Sequence, residues 1–212
     1  MLYKLFFIIG SYLTGGIPFG YLAGKMKGID IREHGSKNVG ATNVFRVIGK
    51  GPGIAVYLLD AVKGLLPVLL AQMLWPAATP QQQWFHIAAA LAAILGHVFT
   101  PYLKFKGGKG VATASGAMLG LAPLPLVAAL LVFAMVFGLT RYVSLGSICA
   151  SIVFPIAVAV QLILKGQDPV SPMVAVGWFV VLLILVTHKA NIVRLVQGKE
   201  NRISFKKDHS TK

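Results

Sequence analysis

Negative charge is scarce in this chain. Of 212 residues only 6 are Asp or Glu, against 20 Lys or Arg, so the formal net charge is +14 and the isoelectric point stands near 10.1. Charge of either sign is sparse too, at 12%, about half of what a soluble domain carries. The single cysteine, Cys149, lies inside an apolar run, which excludes an internal disulfide and a cysteine-based metal site. There is no internal repeat and no low-complexity tract. The basic excess by itself is compatible with nucleic-acid binding. Here, however, the Lys and Arg residues sit in short stretches beside apolar runs, where topology and anionic headgroups account for them. Nucleic acid is not an expected partner.

What fills the chain instead is apolar sequence. Hydrophobic residues make up 56% and the mean hydropathy is +0.75. Six stretches hold them: 5–23, 54–75, 84–103, 111–140, 142–164 and 170–187. A bilayer core of about 30 Å takes about 20 helical residues, so most of these read as single spans. The fourth, at about 45 Å as one helix, is interrupted by Pro123 and Pro125 and reads as two short spans, 111–121 and 124–140. The expected fold is an all-α integral membrane protein of seven transmembrane helices, one multi-pass domain over 1–212, N-terminus outside and C-terminus cytoplasmic. That arrangement puts 17 of the 20 basic residues on the inner side, leaving Lys4 and Lys165 outside and Lys63 within the membrane, as the positive-inside rule prefers. The opening run lacks an A-x-A cleavage site and is taken as the first helix. The basic cytoplasmic tail covers 188–212, and its end, 197–212, is expected to lie along the inner membrane surface.

Within the spans, Gly16, Gly20 and Gly24 recur every fourth residue, which suits close helix packing. Asp60 and Lys63 are three apart and are expected to neutralise each other, since one unpaired charge at mid-bilayer costs about 3 kcal/mol; lining a polar cavity is the alternative. His86 and His97 share a helix face but stand about 16 Å apart, too far to share a metal. No metal and no cofactor is called for.

Four polar segments fall on the cytoplasmic side: 25–52, 104–110, 140–144 and 187–200. In "KFKGGKGVATASG", Gly107, Gly108 and Gly110 free the backbone to aim its amides at a ligand. The helix starting near Val111 adds its dipole, and Lys104, Lys106 and Lys109 supply countercharge. It is not a Walker A loop: position 103 is Leu, and Gly110 follows Lys109. A phosphate seat and a basic turn anchored to headgroups both fit this segment. In "HGSKNVGATN", Ser36, Asn38, Gly40, Thr42 and Asn43 offer neutral hydrogen-bonding groups and close backbone approach, and Arg46 can hold an oxyanion bidentately. The same residues also fit a cap on a helix beginning near Ala41. His188 and Asn191 are three apart and share a face if the last span continues.

Taken together, "GSKNVGATNVFR", "GHVFTPYLKFKGGKGVATASG", "RYVSLGS" and "HKANIVRLVQGKE", with "DAVKG" at 60–64, resemble the bacterial acyl-phosphate:glycerol-3-phosphate acyltransferases. The similarity runs from the first helix to about Glu200. Lys37 departs from the family, which more often has Gly there. The resemblance implies a multi-pass protein of the bacterial inner membrane whose active site faces the cytoplasm. The implied reaction passes an acyl group from acyl phosphate to sn-glycerol 3-phosphate, giving 1-acylglycerol 3-phosphate and phosphate. Both substrates are partners of the chain, with the bilayer; no obligate protein partner is inferred. Two phosphates at about 5 Å repel by about 3 kcal/mol per charge pair at an effective dielectric of about 20, so a cationic lining is needed. Arg46, Lys104, Lys106, Lys109 and Arg141 are the expected lining, with Ser144 beside Arg141.

Catalytic roles are expected for Ser36, Arg46, Lys104, His188 and Asn191, with Glu200 bracing the tail against a nearby cation. The sequence holds neither the H-x-x-x-x-D motif of other glycerolipid acyltransferases nor a G-x-S-x-G elbow. The expected mechanism is therefore direct attack of the C1 hydroxyl, with a substrate phosphate or His188 as base; Ser36 as a covalent nucleophile is the alternative. A rival class is an organic-phosphate transporter, which also aims broken-helix N-termini at anions.

Overall fold

The computed structural model describes residues 2–76 and 79–203. Among them are ten α-helices, two short 3-10 turns and no strand. In chain order the helices are α1 (Leu2–Gly16), α2 (Phe19–Met26), α3 (Ala41–Val47), α4 (Lys50–Leu74), α5 (Pro80–Val98), α6 (Val111–Leu121), α7 (Pro123–Thr140), α8 (Val143–Leu164), α9 (Pro172–Thr187) and α10 (Lys189–Val196). Five stretches are long and apolar enough to cross a membrane, and six if α9 and α10, bent by 65°, form one. Helices occupy all seven expected segments, but α6 has 11 residues and rises about 16 Å, half of a bilayer core.

Proline sets two of the breaks. Ala122, extended at φ −150°, ends α6 and caps α7, and Pro123 stands in the first turn of α7, where a missing N–H costs nothing. The expected break is there, with α7 starting at Pro123 instead of 124. The first apolar run also breaks, between Gly16 and Phe19, because Pro18 has no N–H to continue the helix. That break was not expected. It places Gly20 against the polar loop and the helix that follows it, and Gly24 against the loop: a Cβ at Gly20 would meet Val39 and Val44 of α3, and one at Gly24 would meet Ile29 and Ile31.

Small residues bring the helices together. α5 lies at the centre, packed on α1, α4 and α6, and Ala89, Ala90 and Ala93 are fully buried. α4 and α6 meet backbone to backbone: a Cβ on Gly116 would lie 2.6 Å from the Ala61 carbonyl carbon, and one on Gly64 would lie 2.9 Å from that of Thr113. Lipid tails are as apolar as the helices, so this close fit replaces the hydrophobic drive of a soluble core. Asp60 and Lys63 do pair, at 2.6 Å and fully buried. The expected membrane-surface strip of the tail lies from residue 204 on outside the described residues.

Chain direction then gathers the polar segments. α2, α5, α7 and α9 end, and α4, α6 and α8 begin, at the same end of the bundle. Replacing Gly116 with Ala wedges α4 from α6 and should cost about 1–3 kcal/mol, read as a lower thermal midpoint in detergent. Gly138→Ala, on open α7 surface, should leave that midpoint unchanged or raise it.

Candidate active site at one end of the bundle

A cavity of about 380 Å³ opens at this end. Its head is polar: Ser36, Asn38, Gly40, Thr42, Arg46, Lys109, Gly110, Ser144, His188, Asn191 and Glu200 line it. Its deeper part is apolar, walled by Ile54 and Tyr57 of α4, Leu130, Phe133 and Phe137 of α7, and Ala150 of α8. Leu130 stands ten residues before the end of α7, so the groove runs about 15 Å along the helix. α4 packs on α6 and α7 on α8, while α4 and α7 are not a packed pair. Ile54 and Leu130, on the two lips, are 54% and 40% exposed. The groove therefore opens sideways, towards lipid.

The opening loop is shaped by one side chain. Asn43, 1% exposed, turns its amide towards the carbonyls of Ile31, His34 and Asn38 at 3.1, 3.0 and 2.9 Å, and accepts from Ser36 N–H at 2.8 Å. Asn38 in turn accepts from Gly40 N–H. Asn43 also borders the cavity, but its side-chain hydrogen bonds are made within the loop. Lys37 is exposed with φ 58°, a left-handed conformation that favours glycine. A glycine would adopt that geometry at lower cost.

The glycine-lysine turn also departs from expectation. Lys104 and Phe105 both take left-handed φ, 54° and 61°, folding the chain back onto the end of α5. There Gly107 N–H donates to Val98 O at 3.0 Å and Gly108 N–H to His97 O at 3.1 Å. Those amides are not free for a phosphate. Lys104 and Lys106 point away, exposed, and Arg141, past the end of α7, is exposed as well. None of Lys104, Lys106, Gly107, Gly108 and Arg141 lines the cavity. Lys104, expected to be catalytic, stands outside the cavity; the lysine that lines it is Lys109, next to Gly110 and the first turn of α6.

Lys109 is held on two sides. Thr187 Oγ1 donates to its carbonyl at 3.1 Å, and its ammonium donates to Asn191 Oδ1. Asn191 Nδ2 donates to Glu200 at 2.7 Å, Ser144 Oγ donates to the same oxygen at 3.0 Å, and Arg194 donates to the other at 2.7 Å. Glu200 thus has its expected cation. Burial lowers the Lys109 pKa to about 8; Glu200 opposes the shift, and Arg194 and Arg46 add to it. Arg46 donates to Asn201 O at 3.0 Å, and its Nε is buried with no hydrogen-bond partner. Among the described residues neither Arg46 nor Lys109 has a carboxylate salt bridge. A buried guanidinium nitrogen left open beside an unbridged ammonium is a seat for an anion.

His188 occupies the 65° bend between α9 and α10, so the last span does not run on straight. Its Nδ1 donates to Ile184 O at 2.9 Å, leaving Nε2 as the acceptor. Burial, and then Lys109 nearby, lower its pKa to about 4. The apolar wall, Leu130, Phe133 and Phe137, escaped the sequence reading, although its spacing of three and four residues marks one helix face. Asp60 and His97 also border the cavity; both fall inside the motifs that carry the family resemblance, in "DAVKG" and "GHVFTPYLKFKGGKGVATASG".

Cations without a carboxylate salt bridge among the described residues, at the head of a groove open to lipid, are features suited to a membrane protein that handles anionic amphiphiles. The family model described as glycerol-3-phosphate acyltransferase matches residues 5–198. A glycerol-3-phosphate acyltransferase of Trichlorobacter lovleyi is 46% identical over 93% of this chain and 96% of its own. One of Geobacter sulfurreducens is 45% identical over 95% and 98%. The crystal structure of PlsY, an integral membrane glycerol 3-phosphate acyltransferase, in its glycerol 3-phosphate form, superposes with a TM-score of 0.84 at 38% identity, covering 95% of this chain and 96% of that one. Its lysophosphatidic acid form gives 0.80. The chain belongs to the glycerol-3-phosphate acyltransferase family and is membrane-embedded.

The neutral, buried His188 makes a prediction about stability. Below pH of about 6.5 the unfolded chain takes up a proton at this position that the folded chain refuses until about pH 4. Stability should therefore fall as pH drops through that window, by about 3 kcal/mol in all. His188→Gln removes that component, so denaturation of the two proteins between pH 7 and 4 should show the variant losing less.

Proposed function

We propose that the chain transfers a fatty acyl group from acyl phosphate to the C1 hydroxyl of sn-glycerol 3-phosphate, at a site facing the cytoplasm of a bacterial inner membrane and carried by seven spans. The observation that carries this reading is the juxtaposition of Arg46 and Lys109, both without a carboxylate salt bridge among the described residues, with an apolar groove that opens to lipid. A soluble phosphate ester reaches the polar head from the aqueous end. An acyl chain slides in between α4 and α7, which places the acyl phosphate head beside the same cations. The first turn of α6 adds its amides and dipole at Gly110, Val111 and Ala112. The glycerol 3-phosphate form of the related PlsY agrees with this substrate.

In this mechanism the C1 hydroxyl oxygen attacks the acyl carbonyl carbon, the carbon–oxygen bond to phosphate breaks, and the hydroxyl proton passes to a phosphate oxygen, so that hydrogen phosphate leaves. A phosphate with a second pKa of about 6 is a better matched base than a histidine lowered to about 4. His188 Nε2 and Ser36 orient the glycerol hydroxyls, and Asn191 aims Lys109 at the developing negative charge. Glu200 positions Asn191 and does not touch substrate. No covalent acyl-enzyme is required, since phosphate is already a good leaving group. The transporter reading is disfavoured by a cavity whose far end leads to lipid instead of the opposite end of the bundle.

The purified chain in detergent should release phosphate from palmitoyl phosphate only when glycerol 3-phosphate is present, with lysophosphatidic acid formed in equal amount. A transporter would do neither without a sealed vesicle. Acylated protein trapped on Ser36 would overturn direct attack.

Because Lys109 is the titrating cation, kcat/KM should fall as pH rises through about 8. kcat should hold to higher pH, since bound phosphate retains the proton. Lys109→Ala should lower kcat/KM by about two to three orders of magnitude, and His188→Gln should lower the rate modestly without changing the shape of the pH profile.

A further inference from the structure

Beneath the Lys109 turn lies a cluster of ionisable groups that the proposed chemistry does not use. The Asp60–Lys63 ion pair sits in the middle of a helix bundle, where such groups are costly to bury. Lys63 Nζ also donates to Ile17 O at 2.7 Å, and Thr100 Oγ1 donates to Gly16 O at 2.6 Å. Both carbonyls at the Pro18 break thus gain side-chain donors, and Ile17 O accepts from Phe19 N–H as well, at 3.1 Å. On the other side, Asp60 Oδ1 stands 3.7 Å from His97 Nδ1. The outer edge of the His97 ring is covered by Gly108: a Cβ built there would lie 2.8 Å from His97 Cε1 and closer still to Nε2. With Nε2 covered by backbone, His97 is in no position to act as a base on substrate. It serves as a seat instead.

We infer that Asp60 and His97 form a positioning platform for the Gly107–Gly110 turn, with the imidazole plane setting the height at which Lys109 enters the cavity. Asp60 lies against the Nδ1 edge of the ring, 3.7 Å away, and Lys63 anchors Asp60 to the α1–α2 break. The ring carries Gly108, whose amide is tied to the carbonyl of the same histidine. Glycine is required at 108 because the ring occupies the volume of a side chain. At Gly107 the obstacle is different: a Cβ would strike the backbone carbonyls of His97 and Val98. His97 and Asp60 are positioning residues that act through Lys109. The inference rests on the assignment of Lys109 to phosphate binding.

The contrast between the two glycines supplies the test, in the full-length chain in detergent. Gly108→Ala should lower the thermal midpoint and cut kcat/KM for glycerol 3-phosphate by about a hundredfold, as expected for a displacement of about 1 Å. Adding His97→Asn, which keeps a donor for Asp60 but removes the ring edge under residue 108, should restore the midpoint and recover about tenfold of kcat/KM. The same second change should not rescue Gly107→Ala, whose clash is with backbone.

His97→Asn alone should loosen the turn and let water reach Lys109. Glu200, Arg194, Arg46 and His188 face that ammonium. None of them is altered, so the alkaline limb should rise from about pH 8 towards an ordinary lysine value. Strict additivity of the 97 and 108 changes, or an unmoved alkaline limb in folded His97→Asn, would overturn the platform. The two readings fail separately. Lys109→Ala with an unchanged KM for glycerol 3-phosphate would sink the phosphate assignment, and rescue of the midpoint tests the seating by itself.

Discussion

An anion site inside a membrane protein depends on keeping its cations uncompensated without leaving them unsupported. Glu200 stands in the wall of this cavity and would cancel Lys109 if the two met directly. Instead Arg194, Ser144 and Asn191 occupy its oxygens, and Asn191 passes on only a dipole, through its Oδ1, to the ammonium. Asp60, the other carboxylate at the cavity, is matched by Lys63. Arg46 and Lys109 are left facing open space. An ammonium buried this way is poised near pH 8, so its charge is readily reinforced by an arriving phosphate. The chain Arg194–Glu200–Asn191–Lys109 fixes the direction of that ammonium while lending it little neutralising charge.

The gross architecture was legible because proline and hydropathy speak locally. Pro123 and Pro125 marked the break between α6 and α7, and the apolar runs marked where helices would lie. Pro18 carried the same information but was masked by an uninterrupted apolar run with a regular glycine spacing. The site was legible as a set of segments, since chain direction brings all four to one end of the bundle. Within a segment, type and spacing do not say which way a side chain points. Lys104, Lys106 and Lys109 look alike in sequence. They are separated by two left-handed residues, Lys104 and Phe105, and by the packing of Gly107 and Gly108 on α5, neither of which leaves a mark on composition. The adjacency of Lys109 to the helix start was the one signal that favoured it.

Asn43 shows the complementary case. A polar side chain in a loop competes for two employers, the ligand and the loop's own backbone. Asn43 has gone to the second, meeting three carbonyls and one amide. The irregular part of the loop ahead of α3 needs such a centre, because carbonyls such as those of His34 and Asn38 have no helix or sheet partners and the segment faces a cavity on one side. Ser36, Asn38 and Thr42 then border the cavity from a frame that Asn43 has made rigid.

The shape of the cavity bears on the choice between moving a phosphate compound and reacting it. A carrier must offer its site to two aqueous sides in turn, which calls for a midplane site between two movable halves. Here the helix ends that build the polar head all belong to one end of the bundle, and the deeper wall of Leu130, Phe133 and Phe137 leads into lipid. Below the head, the packed platform of Asp60, Lys63 and His97 joins α4 and α5 and ties both to the α1–α2 break. Opening a path across the membrane there would separate a buried ion pair, at a cost of several kcal/mol. The same immobility serves a catalyst, because an acyl carbon and a hydroxyl brought from lipid and from water must meet within about 3.5 Å. A floor that resists opening and a side that admits a chain favour transfer between two bound molecules over passage of one.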